Sequence, residues 1–108
     1  MSTIAVLGLG LMGASFAAAL HDADESLDIL GWDAQAYPLA RALERGHISR
    51  AAASLEDALR EADVLVLAMY VRGILDLLAL AGPLLKPDAL VLDLGSTKAR
   101  IVQAMNEL

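Results

Sequence analysis

The sequence has no cysteine, and it is poor in basic side chains and in aromatic side chains. Without cysteine the chain can form neither a disulfide framework nor a thiolate site, and this composition suits a reducing compartment, so we expect the cytoplasm. Its two histidines, His21 and His47, stand far from any residue at metal-ligand spacing, which predicts no metal site. The 8 Lys and Arg are scattered among 14 Asp and Glu. Because phosphate contacts need clustered cations, we expect no nucleic-acid partner.

Charge is also missing from the first 20 residues, a pattern that superficially resembles a membrane segment. A signal peptide begins with a basic region, however, and the glycines at positions 8, 10 and 13 would interrupt an apolar helix. Later apolar stretches are broken by Arg72, Asp76 and Lys86 before they reach the roughly 20 residues that span a bilayer. The sequence therefore predicts no membrane segment.

The 108 residues, 57% of them hydrophobic, suffice for one domain with a substantial core. Apolar runs alternate with helix-period segments, which predicts strands over residues 3–8, 27–32, 63–69 and 89–95, with a poorly marked strand between 48 and 53. Helices are predicted over residues 11–21, 35–45, 54–61, 71–85 and 97–108. Strands that are apolar on both faces and joined by helices indicate an α/β fold, a doubly wound and mostly parallel sheet with helices on both faces.

Three glycines, Gly8, Gly10 and Gly13, mark the passage from the first strand to the first helix. On the simplest interpretation they only form a tight turn. In this position, though, the exposed N–H groups and the helix dipole favour an anionic diphosphate: Gly8 would permit the turn, Gly10 would leave room for phosphate and Gly13 would let the helix pack closely. The pattern predicts a dinucleotide-binding Rossmann fold, with cofactor contacts from the loop residues Gly8, Leu9, Gly10, Leu11, Met12 and Gly13.

An acidic residue, Asp33, stands 20 positions after Gly13 and directly follows the second predicted strand. Taken alone it would be a turn or helix-capping residue. At this spacing from the glycines its carboxylate can accept both adenosine ribose hydroxyls, and it would repel a 2′-phosphate. We therefore expect NAD to be preferred over NADP as the cofactor.

The ends of the two later strands should lie on the same carboxyl edge of the sheet, where ligands of open α/β folds bind. We expect Met69, Tyr70 and Val71 to border the nicotinamide side, and we count Ala68, Met69 and Tyr70 among the cofactor-binding residues. Tyr70 could stack or donate a hydrogen bond there, although an aromatic residue at a strand end more often serves packing. Ser96 could cap the last helix or present its hydroxyl to nicotinamide and substrate.

Several segments together are similar to the nucleotide-binding domain of the prephenate dehydrogenases, NAD-dependent enzymes of tyrosine biosynthesis. They are "GLGLMGAS" at 8–15, "GWD" at 31–33, "ADVLVLAMYV" at 62–71 and, most specific, "VLDLGSTKARIVQAM" at 91–105. The resemblance implies oxidative decarboxylation of prephenate or arogenate, with hydride transfer to NAD and a supporting role for Ser96. The histidine of the family follows the GSxK segment, so neither His21 nor His47 matches it. Met69 and Tyr70 stand where the family commonly has a proline-containing turn.

We expect residues 1–108 to form the dinucleotide-binding domain. The last segment ends without a Gly or Pro stop and without a closing strand, so we expect a second domain to be missing. On the resemblance, a C-terminal helical domain would grip the small carboxylate substrate and provide the oligomer interface, and residues 1–108 alone should bind cofactor without turnover. Two alternatives stay open from the sequence. One is a β-hydroxyacid dehydrogenase or imine reductase, and the other is a non-catalytic module that senses NAD.

Overall fold

The computed structural model describes residues 2–68 and 82–94, in which strands and helices alternate. The strands are β1 (Thr3–Leu7), β2 (Asp28–Trp32), β3 (Arg50–Ala51), β4 (Val64–Leu67) and β5 (Leu90–Asp93). The helices are α1 (Leu11–Ala23), α2 (Ala36–Glu44) and α3 (Leu55–Glu61). None of these helices is long and apolar enough to cross a membrane.

The five strands form one parallel sheet in the order β3-β2-β1-β4-β5. The chain first builds outward from β1 through β2 to β3, and then returns to the other side of β1 with β4. The strand order thus reverses between β1 and β4. In open α/β sheets ligands bind in the crevice that such a reversal opens at the carboxyl ends of the strands. The predicted doubly wound α/β fold is confirmed.

Alternate residues of the central strands feed two hydrophobic cores, one on each face of the sheet. On one face Ala5, Leu7 and Leu65 pack with Ala58 and Leu59 of α3. On the other face lie Val6, Ile29 and Val66, together with Ala17 of α1 and Ala42 of α2. Side chains alternate between the two faces of the sheet, and both faces are covered by apolar residues. The strands therefore appear in the sequence as continuous hydrophobic runs.

Most predicted boundaries lie within one or two residues of the observed ones. Helix α3 begins after Ser54, whose hydroxyl accepts from the N–H of Asp57 at 3.1 Å, as the spacing of those two residues indicates. Helix α2 stops before Gly46, whose φ of +72° suits glycine.

Two predicted elements differ from the structure or lie outside it. The strand expected between residues 48 and 53 is only the two-residue β3. The helix predicted over 71–85 extends too far, because residues 82–85 form a turn at Gly82-Pro83, where proline supplies no N–H. The rest of that prediction, and the helix predicted over 97–108, lie outside the described residues.

Polar side chains link the strands at the amino edge of the sheet, opposite the crevice. The carboxylate of Asp28 accepts two hydrogen bonds from the guanidinium of Arg50, at 3.1 and 2.9 Å. It accepts a third from the hydroxyl of Thr3 at 3.0 Å. The backbone N–H of Thr3 donates to Asp63 at 2.7 Å, and Lys86 binds the other oxygen of Asp63 at 2.9 Å. We call these five residues the amino-edge network.

These contacts lower the pKa of both carboxyls. The hydrogen bond from Arg50 is the main cause for Asp28, and that from the Thr3 N–H is the main cause for Asp63. Asp28 in turn raises the pKa of the Arg50 guanidinium. Ion pairs of partly exposed groups stabilise modestly, but here they tie the starts of β1, β2 and β3 to the residue that precedes β4.

The amino-edge network predicts an acid-labile contribution to stability. Because both aspartates have a lowered pKa in the folded chain, the unfolded chain takes up protons first, from about pH 5 downward. The free energy of unfolding should be nearly level from pH 7 to about 5 and then fall as the pH drops through about 4 toward the lower folded pKa values. Denaturant titrations at several pH values measure this.

Asp28→Asn tests the assignment, with Asp22→Asn on the exposed side of α1 as its control. At pH 7 the first variant should lose up to about 1 kcal/mol, since its partners are only half-buried, and its stability should depend less on pH. If the free energy of unfolding of Asp28→Asn fell with decreasing pH as steeply as that of the parent chain, the role of this carboxyl would be contradicted.

Candidate functional site

The loop between β1 and α1 turns sharply at Gly8. The φ of Gly8 is +92°, a conformation that side chains disfavour, and its N–H donates to the carbonyl of Trp32 at 2.8 Å. The loop is therefore fixed to the end of the neighbouring strand β2. Only Gly8, Leu9 and Gly10 separate β1 from α1, so the helix begins directly above the crevice.

Gly13, in the first turn of α1, packs against this loop. A Cβ atom at Gly13 would overlap with the carbonyl oxygen of Gly8 and would lie 3.1 Å from the Cβ of Ala68. A side chain would therefore push the helix away from β1 and β4. The close packing of α1 against β1 that we expected at Gly13 is observed.

Gly10 plays a different part, because nothing lies within 4 Å of a Cβ built on it. It is the N-cap residue of α1, and no side chain caps the helix there. The first turn also carries no acidic residue. The N-terminal N–H groups of a 13-residue helix, with the positive end of its dipole, thus face an open space that suits an anion.

Asp33, at the end of β2, lies beside the same loop. One of its carboxylate oxygens accepts from the N–H of Leu9 at 2.7 Å, and the other accepts from the N–H of Gln35 at 2.8 Å. Each oxygen keeps a second lone pair, so the carboxylate can still accept hydroxyl donors. The structure brings together the two halves of the predicted motif, which are more than 20 residues apart in sequence.

The remaining predicted site residues divide into three groups. Leu11 begins α1 with 89% of its side chain exposed, next to a half-buried Met12, while Leu9 is 4% exposed and packs in the core. Ala68 follows β4 and donates its N–H to the carbonyl of Leu7 at 2.9 Å, which places it beside the glycine loop. Met69, Tyr70 and Ser96 lie outside the described residues.

A groove between α1 and α2 was not foreseen from the sequence. Its volume is about 400 Å³, within the usual range of small-molecule sites, and it begins at Leu9, Gly10 and Leu11 of the glycine loop. Its far end is lined by Arg41, Arg45 and His47. In sequence these basic residues look scattered, and the hint is that two arginines stand four positions apart, on one face of a helix.

Comparison with known proteins gives a family model that matches residues 16–108, described as the nucleotide-binding domain of prephenate dehydrogenase. The match begins after the glycine motif, so the motif supports it independently. A prephenate dehydrogenase of Lactococcus lactis subsp. cremoris (strain MG1363) is 36% identical over 109 residues, covering 100% of this chain and 30% of that protein.

Two solved structures are similar along most of the chain. Arogenate dehydrogenase of Synechocystis has a TM-score of 0.74 at 33% identity, covering 84% of this chain and 32% of that one. Prephenate dehydrogenase of A. aeolicus, in complex with hydroxyphenyl propionate and NAD+, has a TM-score of 0.78 at 26% identity, covering 86% and 33%. The chain thus spans roughly a third of the length of these proteins.

Gly10 and Gly13 should respond to the same substitution with losses of stability that differ in size. Gly13→Ala should lower the free energy of unfolding by about 2 kcal/mol, because the new methyl group meets backbone that cannot move freely. Gly10→Ala should change it by less than about 1 kcal/mol, since the methyl group enters open space. Parallel denaturant titrations compare them, and equal losses would contradict the tight packing of Gly13.

Proposed function

Because the chain belongs to the prephenate dehydrogenase nucleotide-binding domain family, we propose that it binds NAD at the carboxyl edge of its sheet and presents it for oxidative decarboxylation of prephenate or arogenate. The observation that carries the proposal is the uncapped start of α1 beside Gly10. When bound, NAD supplies the acceptor for the hydride that leaves the substrate ring. The described residues bind and orient the cofactor.

The diphosphate has a site that fits it in both shape and charge. Open space in front of Gly10 lets a phosphate approach the backbone, and the helix N-terminus supplies N–H donors and partial positive charge. The chain has a net charge of −6, yet the first turn of α1 contains no carboxylate to repel the ligand.

The adenosine ribose is assigned to Asp33. Its carboxylate stands next to the diphosphate loop, held there by the N–H groups of Leu9 and Gln35. A preset carboxylate accepts ribose hydroxyls with little loss of side-chain entropy, and its negative charge disfavours a 2′-phosphate. The residues after it, Ala34 and Gln35, bring no guanidinium to bind that phosphate. These features support NAD over NADP.

Leu11 contributes an apolar surface next to the loop. Its side chain is exposed at the head of α1, and a bound dinucleotide would cover it. On our proposal, Ala68 after β4 and the residues Met69, Tyr70 and Ser96 complete the cofactor contacts.

The whole enzyme's chemistry needs groups beyond the described residues. We propose that Ser96 assists near the nicotinamide, and that the histidine, the grip on the substrate carboxylates and the dimer contacts come from chain outside residues 1–108. His21 lies near the amino-edge end of α1, and His47 lies beyond the end of α2, so neither stands at the crevice. On this proposal residues 1–108 bind NAD without turning over substrate.

Gly10→Val tests the diphosphate site. The side chain would occupy the space needed by phosphate while touching no protein atom at its Cβ, so we expect NAD affinity to fall at least about tenfold with a normal far-UV circular dichroism spectrum. Isothermal titration calorimetry measures the affinity. Ala19→Val, on the exposed side of α1, is the matched control and should bind as the parent does. Full affinity in Gly10→Val would refute the site.

Asp33→Asn tests the ribose contact. The parent chain should bind NAD more tightly than NADP, and the variant should lose about tenfold in NAD affinity, the equivalent of one charged hydrogen bond. Its preference for NAD over NADP should narrow, because the repelling charge is gone. Asp22→Asn serves as the charge-matched control. Equal affinity of the parent chain for both dinucleotides would overturn the role of Asp33.

A further inference from the structure

The groove between α1 and α2 extends well beyond the dinucleotide site. It runs from Leu11 at the crevice down to Arg45 and His47, near the amino edge of the sheet. Arg45 follows Ala36, the first residue of α2, by nine positions, which is about 13 Å along the helix axis. The far end of the groove is therefore separated from the diphosphate loop by most of the length of α2.

The far end of the groove carries positive charge in a chain that is acidic overall. Arg41 and Arg45 line the groove with His47, whereas no aspartate or glutamate is among its described lining residues. Neither arginine side chain forms an ion pair within the part of the chain that the structure describes. In a protein with 14 acidic residues and a net charge of −6, cations are thus gathered without a counter-charge.

The helix dipole and the repulsion between the two arginines act on this arrangement in opposite directions. A single cation near the end of α2 would interact favourably with the helix dipole. Arg41 and Arg45, however, stand at i and i+4 on the same face, where like charges repel and destabilise a helix. An anion bound between the two guanidinium groups would remove that repulsion.

The walls of the groove define the rest of the ligand. On the α1 side they are formed by Ala14, Ser15 and Ala18, and on the α2 side by Pro38 and Ala42. These short side chains leave room for an apolar body, and Tyr37 borders the groove with 73% of its side chain exposed. Small-molecule sites typically combine such apolar walls with a few convergent polar groups.

We propose that the α1–α2 groove binds a small aromatic carboxylate, with its carboxylate between Arg41 and Arg45 and its ring against the apolar walls. Guanidinium groups match a carboxylate in plane and in hydrogen-bonding geometry. The groove shares Leu9, Gly10 and Leu11 with the dinucleotide site. Its proposed carboxylate contacts, Arg41 and Arg45, have no part in that site, so the assignment goes beyond the proposed function. Its test is made without NAD, so failure of NAD binding leaves the groove assignment unaffected.

The experiment titrates the ¹⁵N-labelled chain with 3-phenylpropionate and, separately, with its neutral amide, 3-phenylpropionamide. We expect saturable amide shifts at Ala14, Ser15, Ala18 and Ala42 with the acid, with a dissociation constant of about 1 mM or lower. The amide should bind at least about tenfold more weakly, since it lacks the charge. No saturation through the millimolar range, equal binding of the amide, or shifts centred elsewhere would overturn the proposal.

Two variants and a control separate charge from shape. Arg41→Gln combined with Arg45→Gln removes both charges while keeping a polar side chain of similar helix propensity, and it should weaken binding of the acid at least about tenfold. Ala18→Leu narrows the groove without changing charge, and it should weaken the acid and the amide alike. Arg60→Gln removes an exposed cation from α3, on the opposite face of the sheet, and should bind as the parent does. Unchanged binding in the double variant, with a normal circular dichroism spectrum, would refute the assignment.

Discussion

The contact between Gly13 and Gly8 is the constraint on which the rest of the structure depends. Because α1 must start within three residues of β1, its first turn lies directly against the loop carbonyl, and only glycine leaves room there. The same closeness aims the start of the helix at the crevice between β1 and β4. A helix set further from the sheet would still cover the core, but its N–H groups would no longer face the site.

The two edges of the sheet have opposite character. At the amino edge the described carboxylates Asp28 and Asp63 accept hydrogen bonds from Arg50, Lys86 and both donor groups of Thr3, which ties the strands together. At the carboxyl edge the head of α1 has neither a capping side chain nor an acidic neighbour. The polar groups of the amino edge therefore link strands, whereas those of the carboxyl edge are left open to a ligand.

Much of this arrangement could be predicted from the sequence because it depends on local signals. The run from β1 into the glycine motif, the Ser54 cap and the Gly46 stop are each encoded within a few residues, and Asp33 follows from its spacing. The short β3 was poorly marked, because a two-residue strand is defined by pairing with β2 rather than by its own pattern.

The parts that escaped prediction depend on long-range contacts. The hydrogen bond from Thr3 to Asp63 joins residues 60 positions apart, and nothing local distinguishes Asp63 from the other acids. The α1–α2 groove likewise needs two helices placed side by side before Arg41, Arg45 and His47 become neighbours. The residues Met69, Tyr70 and Ser96 stay predictions, because they lie outside the described part of the chain.

The order of the strands also sets the order in which the chain can assemble during its synthesis. β1 leaves the ribosome first, yet it is the central strand and pairs with β2 on one side and β4 on the other, through Ile4 and Val64. The apolar segment of β1 must therefore wait, half-paired, until β4 has emerged. A nascent chain stalled before Val64 would display that unpaired strand to the folding machinery of the cell.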